Sequence, residues 1–593
     1  MSSDEDIAAR LEEFADLLEA RDVEYKPRAY RRAAENVREY PGDVAALAAE
    51  DPEAVEEIEG VGEAISEKIV EYVETGAIAE LEGLRAELPV DMAALTRVEG
   101  VGPKTVGTLY EALGIETLDD LEAAAEAGEI RDVSGFGEKT ERNIRENVAF
   151  AREASERERL GEARPRGEGV VAYLAGREGV ERIDLAGSLR RWKETIGDVD
   201  VLVGSESPET VVDAFADWPE ADDVIEAGDQ KASVRAGGVR VDLRVVDPSE
   251  FGSALQYFTG SKEHNVAVRN IAIRKGLKMN EYGVFDVSEA RSASESRTES
   301  GEEVEDPDAD QRAGERIAGE TEEGMYEAVG LPWMAPELRE NWGEIEAAQA
   351  GDLPDLVDEP DVRGDLHVHT DWSDGDYTVA EMVEGAAAFG HDYVAISDHA
   401  TGPGMVGGVG LSDDRLREQL DEIESVAADA DIEVFSGVEA NIATDGTISV
   451  ADDLLAELDV VVASPHAGLD GDGTDRLVEA ARHPEVDVIG HPTGRYINQR
   501  AGLDVDVERL AAVAAEHDTA LEINANPARL DLGGAPVKTA VEAGATVAVN
   551  TDAHRPANYD LVRYGVHTAR RGWAEATDVL NTRGVEGLRE FLE

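Results

Sequence analysis

Apolar residues over the first 85 positions recur every three to four residues, and Gly or Pro interrupts the pattern at intervals. That periodicity predicts short helices over Ile7–Ala20, Pro27–Tyr40, Asp43–Ala49 and Ala64–Thr75. One short unit appears three times: Ile58-Glu-Gly-Val-Gly62, Val98-Glu-Gly-Val-Gly102 and Val133-Ser-Gly-Phe-Gly137, each followed by a helical stretch. The flanking sequences differ, which points to reused modules and not to a solenoid. From about residue 165 strands alternate with helices, with strands expected at Ile183–Ala186, Val199–Val203, Val239–Val246 and Met279–Val284. Residues 287–324 are rich in Ser, Glu, Asp and Gly and read as a solvated, disordered acidic insertion.

A Pro-containing linker is expected over 331–360. Beyond it, seven apolar runs alternate with helical stretches: Val362–Leu366, Tyr393–Ser397, Ile432–Ser436, Val460–Ser464, Val486–Gly490, Ala520–Asn524 and Thr546–Asn550. Such alternation predicts a parallel α/β barrel over 361–593. The division expected is therefore helical domains at 1–85 and 86–160, an α+β domain at 161–330, the linker, and the barrel.

Composition narrows the setting. No run of 18 apolar residues is present, so no membrane span is expected. The acidic, amphipathic start MSSDEDIAARLEEF is wrong for a secretory signal. Cysteine is absent, which removes disulfides and thiolate metal sites and fits a cytoplasmic protein. The formal net charge is −76, from 131 acidic residues against 55 Lys and Arg. A nucleic-acid binder would ordinarily be basic. The acid is spread through every segment, however, and at about 1 M salt the Debye length is only about 3 Å. A salt-adapted protein from a halophilic archaeon is the expectation, and overall charge then says little about partners.

Chemistry-bearing residues follow six of the seven barrel runs. His367-Val-His369 and Asp374 come after the first, and Ser397-Asp-His399 after the second. Gly437-Val-Glu439, Ser464-Pro-His466, Gly490-His491-Pro492 and Thr551-Asp552-Ala-His554 follow the third, fourth, fifth and seventh. Barrel enzymes carry their chemistry at that end of the strands. Six of the chain's eleven histidines fall there. His391, His483, His517 and His567 lie in helical or connecting sequence and read as ordinary polar residues. Imidazoles mixed with carboxylates suit Zn²⁺ or Mn²⁺. Nine ligands exceed the needs of one tetrahedral ion, so two or three ions are expected, an arrangement suited to phosphoester hydrolysis. The segments GDLHVHT, SDH, GVE, SPH, GHP and TDAH resemble the polymerase-and-histidinol-phosphatase (PHP) domain. That resemblance implies a distorted (βα)7 barrel with Zn²⁺, Mn²⁺ or Fe²⁺, and all nine of its ligand positions are filled: His367, His369, Asp374, His399, Glu439, His466, His491, Asp552 and His554.

A second constellation lies at 187–203. Asp198 and Asp200 alternate at a strand start, so both face one way, and Asp242 sits on another expected strand. Three convergent carboxylates suit Mg²⁺ (or Mn²⁺) bridging a triphosphate. The Gly187-Ser188 turn and Arg191 can receive phosphates. The set GS…GDVD…VDLR, including Gly197, resembles the nucleotidyltransferase palm of family X DNA polymerases. Tyr257-Phe-Thr-Gly-Ser261, Asn265, Arg269 and Asn280-Glu-Tyr282 extend the likeness. It implies that Asp198 and Asp200 bridge both metals and that Asp242 deprotonates the primer 3′-hydroxyl. It also implies that Tyr257, Phe258 and Gly260 pack on the incoming sugar, with Asn265 and Arg269 at the minor-groove side of the new pair.

The three Gly-x-Gly units, Gly60/Gly62, Gly100/Gly102 and Gly135/Gly137, each precede a helix whose first amides can hold a backbone phosphate. Such contacts position DNA without reading bases. Each unit is followed closely by a lysine: Lys68, Lys104 or Lys139. They resemble helix–hairpin–helix motifs, the first two of which in family X polymerases grip DNA on either side of a gap, sometimes with K⁺ or Na⁺. Residues 25–34 resemble the family's 5′-phosphate-binding domain. Lys68 matches the Schiff-base amine of its lyases, although Ala64 replaces a neighbouring lysine, so a phosphate contact and a lyase nucleophile both stand. The whole resembles a family X DNA polymerase fused to a PHP domain, implying gap filling in base excision repair with gapped or primed DNA, dNTPs and a second site that hydrolyses DNA phosphoesters, as a 3′→5′ exonuclease, in 3′-end cleaning or by cutting at abasic sites. A monomer is expected. Two rivals are a small-molecule phosphatase with a regulatory N-terminal half and a DNA-binding scaffold with an inert palm.

Overall fold

The computed structural model describes residues 4–592, apart from 24–25, 39, 41–43, 51, 53, 59, 99, 156, 289–310, 403 and 406–408. Helices occupy Asp4–Ala20, Lys26–Arg38, Val44–Glu50 and Glu63–Thr75, close to the periodicity expected. Five more follow up to Glu138–Ser155. The two N-terminal stretches share one continuous core that runs from Ile7 through Leu81 to Val148. The helices Asp4–Ala20 and Pro103–Leu113 nearly touch, since a Cβ on Gly107 would lie 2.0 Å from the Ala20 carbonyl.

The middle of the chain opens with the two-residue strand β1 (Glu158–Arg159), which pairs with β3 (Thr195–Ile196). A five-stranded sheet is built from β2 (Arg182–Leu185), β4 (Val199–Gly204), β5 (Asp223–Ala227), β6 (Lys231–Ala236) and β7 (Val239–Val246), in the order β2-β4-β7-β6-β5. Val239, Val241, Leu243 and Val245 of β7 alternate inward, against the helices Leu160–Ala175 and Pro208–Ala216. The period-2 alternation leaves Arg240, Asp242 and Arg244 on the opposite face.

A second unit contains the three-stranded antiparallel sheet β8 (Leu277–Asn280), β9 (Gly283–Asp286) and β10 (Glu315–Ala318). Here the structure departs from the sequence pattern in three places. Met279–Val284 is not one strand but the turn of a hairpin. Asn280 accepts a hydrogen bond from the Tyr282 amide at 3.0 Å, and Gly283 at φ +146° reverses the chain. Within 287–324, residues 289–310 lie outside the described residues, but β10 and the start of the helix Glu322–Ala328 are folded. An edge strand pairs through its backbone and needs little apolar content, so composition alone misses it. Finally, 331–360 is no simple linker. It includes the helix Glu344–Ala350, and Leu331, Met334, Ile345 and Ala348 are buried with Val268, Ile271 and Tyr326.

The last domain is a seven-stranded parallel sheet in strict sequence order: β11 (Gly364–Val368), β12 (Tyr393–Ile396), β13 (Glu433–Asn441), β14 (Val460–Ser464), β15 (Val488–Ile489), β16 (Ala520–Asn524) and β17 (Val547–Asn550). A parallel bridge between Val368 and Ala553 brings its ends together, so the barrel is nearly closed. No helix among the described residues is long and apolar enough to cross a membrane.

Candidate active sites

All nine barrel residues converge at the C-terminal ends of the strands. His367 lies within β11, and Glu439 lies within β13, which runs five residues past its expected end. Glu439 is the hub. Its carboxylate is 2.9 Å from His491 Nε2, 3.2 Å from His466 Nε2 and 3.5 Å from His367 Nε2. It is 2.5 Å from His399 Nδ1. Asp374 stands 3.4 Å from both His399 Nε2 and His554 Nε2, and His369 Nε2 is 3.1 Å from Asp552 Oδ1. Three subsets have ligand atoms close enough to share an ion: His369, Asp374, His399 and His554; His367, His369 and Glu439; and His399, Glu439 and His466.

Two further observations fit divalent metals here. Nδ1 of His369, His466 and His491 is buried without a hydrogen-bond partner, a costly state unless a ligand takes it. His491 and Asp552 also adopt left-handed backbone angles, φ +23° and +56°, and such strain concentrates at functional sites. Burial opposes a charge on Glu439, yet His399, His466 and His367 hold its pKa well below the ordinary value. Side chains of Asp374 and His554 remain 36% and 31% exposed, so the site opens to solvent on that side.

Two supporting carboxylates stand behind these residues with no signal in the sequence. Glu522, fully buried on β16, takes the Nδ1 of His367 at 2.7 Å, the amide of His491 at 2.6 Å and Asn550 Nδ2 at 3.0 Å. Asp398 accepts from the Thr370 amide and hydroxyl at 2.8 and 2.6 Å. Glu522 lies in the sixth strand, the one run with no candidate ligand after it. It hides inside the strand as Leu-Glu-Ile. His391 is buried against Phe389 and Tyr559, and burial pushes its pKa down to about 4. His567 stacks on Trp192 and bonds Glu337.

In the palm, β4 and β7 are parallel with Asp200 beside Asp242, and Asp198 joins them within metal-sharing distance. Burial, then the charges of Asp198 and Asp242, raise the pKa of Asp200 to about 7. Three carboxylates held together against that repulsion fit a divalent cation. Asp242 accepts from Arg240 Nε at 2.8 Å and from Ser233. Gly187 begins the helical turn Gly187–Arg190 at φ +62°, where a Cβ would lie 2.1 Å from Asp200 Oδ2. Only glycine permits that approach. Ser188 is half-buried beside it, and a Cβ on Gly197 would lie 3.2 Å from Arg157 Nη1.

Arg191 is oriented by protein groups: Nε bonds Glu340 at 3.0 Å and Nη1 bonds the Thr259 carbonyl. Tyr257 and Phe258 meet edge to face at the end of the helix Phe251–Thr259, and Arg244 lies over Phe258. Asn265 is tied to Gln256 and to the Tyr257 carbonyl, each at 2.7 Å. Arg269 is half-buried on the same helix, Lys262–Arg274. The Gly260 backbone sits beside Arg191, with φ +72°.

The three hairpins share one geometry. The first glycine is left-handed, with φ +76° at Gly60, +81° at Gly100 and +97° at Gly135. Gly62 and Gly102 cap the helices Glu63–Thr75 and Pro103–Leu113 in extended conformation. Val61 and Val101 plug the core between the glycines. A Cβ on Gly62, Gly102 or Gly137 would meet nothing within 4 Å, leaving the helix starts open to a large ligand. Lys104 pairs with Asp22 at 3.0 Å. Lys68 pairs with Glu80 at 2.7 Å. Burial opposes the Lys68 charge, but Glu80 and Tyr30 outweigh it and raise its pKa.

A nucleotidyltransferase-type palm and a phosphoesterase-type barrel stand on one chain, which defines an enzyme of two phosphate chemistries. Known families agree along the chain. Family models match for a helix-hairpin-helix domain at residues 3–78, a SAM-like helix-hairpin-helix tandem at 92–148, a DNA polymerase beta thumb at 254–340 and a PHP domain at 365–526. The chain is 34% identical to the DNA polymerase/3'-5' exonuclease PolX of Bacillus subtilis over 601 aligned positions, 99% of each protein. It is 28% identical to DNA polymerase lambda of Rattus norvegicus over 304 positions, 48% of each. A "Probable phosphatase" of Thermoanaerobacter sp. is 30% identical over 246 positions, 39% of this chain and 94% of that one. The chain belongs to the family X DNA polymerases that carry a C-terminal PHP domain.

Proposed function

We propose that the chain fills short gaps in DNA during base excision repair and hydrolyses DNA phosphoesters at its barrel, trimming or cleaning 3′ ends or cutting at abasic sites. The observation that carries the reading is that one chain brings together two clusters of candidate ligands, Asp198/Asp200/Asp242 in the palm and the nine imidazoles and carboxylates at the end of the barrel. In the palm, Asp198 and Asp200 hold Mg²⁺ or Mn²⁺ and Asp242 takes the proton of the primer 3′-hydroxyl. Gly187, Ser188 and Arg191 hold the triphosphate, and Tyr257, Phe258, Asn265 and Arg269 shape the sugar and base pocket. When bound, the palm metals supply charge neutralisation for the leaving pyrophosphate. The hairpins at Gly60–Gly62, Gly100–Gly102 and Gly135–Gly137 hold the DNA backbone, with K⁺ or Na⁺.

In the barrel, imidazoles and carboxylates hold two or three Zn²⁺, Mn²⁺ or Fe²⁺ ions, which supply Lewis acidity toward a phosphoester. Glu522 and Asp398 fix the imidazoles and loops that face them, and the exposed side at Asp374 and His554 admits a strand end. The protein works as a monomer, and its dispersed acidic surface suits concentrated cytoplasmic salt. The test is a gapped duplex with dNTPs and Mg²⁺ or Mn²⁺ in multi-molar KCl, comparing wild type, Asp200→Ala and His369→Ala. The first variant should lose extension alone and the second nuclease alone. Loss of both activities in both variants would defeat the two-site reading. Activity confined to a small phosphomonoester such as histidinol phosphate would favour the phosphatase rival.

A further inference from the structure

The palm and barrel meet through the segment that joins the phosphate-binding turn to the catalytic strand. Trp192 is buried at φ +54°, a left-handed angle, with its ring stacked 3.6 Å from that of His567 on the barrel helix Val562–Arg571. Glu194 pairs with Arg495 of the barrel at 3.1 Å. At the start of this segment Arg571, 4% exposed, uses Nη1 twice: it donates to the Arg191 carbonyl at 2.6 Å and to Glu340 Oε1 at 3.1 Å. The same Glu340 oxygen receives Arg191 Nε at 3.0 Å. A barrel side chain thus grips both the backbone of Arg191 and the carboxylate that aims its guanidinium.

We propose that Arg571 is a positioning residue for the polymerase reaction, acting through Glu340 to hold Arg191 ready for the triphosphate. The geometry divides Arg191's donors into two sets. Nε and Nη1 are spent on Glu340 and the Thr259 carbonyl, and Nη2 has no protein partner among the described residues. Fixing two corners of a planar fork leaves the third pre-aimed, so ligand binding pays less ordering entropy. Lys193, 3.9 Å from Glu340, is too distant to replace a direct hydrogen bond from Arg571. The barrel domain therefore contributes to nucleotide binding without touching the nucleotide. This rests on the polymerase reading of the palm.

The test is single-nucleotide gap filling by the full chain, with KM for dNTP and kcat measured separately. Nuclease rate and thermal midpoint are followed in the same preparations. Arg571→Ala should raise KM about three- to tenfold with kcat within about twofold and nuclease rate unchanged. Arg571→Lys should recover part of the loss. Glu340→Gln should mimic Arg571→Ala, and the double variant should be no worse than either single one. An unchanged KM in Arg571→Ala overturns the inference. So does a parallel fall of extension, nuclease rate and thermal midpoint, which marks a merely structural contact. An unchanged KM in Arg191→Ala overturns it through its premise while leaving the polymerase reading intact. Absence of extension by wild type instead defeats that reading itself.

Discussion

Nδ1 of His367 lies 2.7 Å from Glu522 Oε1, and the other oxygen of that carboxylate takes the His491 amide at 2.6 Å. One buried acid thereby fixes an imidazole whose Nε2 faces the barrel centre and the backbone that carries another. Outer carboxylates of this kind orient ligands and raise their basicity, and losing one typically costs about 10- to 100-fold in metal affinity or activity. Glu522→Gln should therefore weaken metal retention and nuclease rate by about that factor, with primer extension intact. Metal content after dialysis against a graded chelator is the measurement. Retention equal to wild type would remove Glu522 from the site.

The palm makes an equally sharp demand at Gly187. Its φ is +62°, and an added Cβ would lie 2.1 Å from Asp200 Oδ2. Gly187→Ala must displace either the turn or the carboxylate, and misplacement of about 1 Å can cost about 100-fold in rate. Extension should fall by at least about that factor, while the nuclease, on the far side of the domain interface, keeps its rate. Normal extension by Gly187→Ala would separate Asp200 from the chemistry.

The barrel was legible because parallel strands buried on both faces read as short apolar runs. Its candidate metal ligands are legible because they follow those runs at regular places. Glu522 was not, since an acid flanked by Leu521 and Ile523 gives no signal until His367, 155 residues away, is seen beside it. Arg191 shows the same limit. Its place after Gly187-Ser188 marks it as a phosphate ligand, but its orienting partner Glu340 lies 149 residues on, in a stretch that reads as a linker. The hairpin around Tyr282 failed for a local reason, because Asn280 and Gly283 make a turn inside what looks like one strand.

At the second hairpin, stability and DNA binding can be separated. Gly102 caps the helix Pro103–Leu113 in extended conformation, without a side-chain cap, and a Cβ there meets nothing. Asp is a favoured N-cap, so Gly102→Asp should leave stability unchanged or raise it by up to about 1 kcal/mol. The same carboxylate would stand where a backbone phosphate must approach. Affinity for gapped duplex should drop about tenfold, equivalent to roughly 1.4 kcal/mol. Fluorescence anisotropy beside a thermal melt reads both. Unaltered DNA affinity would exclude this hairpin from the interface.

His391 gives a prediction about acid stability that is independent of either active site. It is 4% exposed, with its ring against Phe389 and Tyr559. Burial lowers its pKa to about 4, and Asp392 only partly offsets that. In the unfolded chain a histidine titrates near about 6.5. Between these values the unfolded state binds a proton that the native state refuses, so stability falls as pH drops below about 6.5 and levels off below about 4. The loss from this one group is about 2 kcal/mol at about pH 5. His391→Leu removes the titration while keeping an apolar contact with both rings. The variant should therefore gain on wild type in thermal midpoint as pH falls from about 7.5 to about 5 in high KCl. Parallel midpoint curves over that range would mean that His391 does not resist protonation in the folded protein.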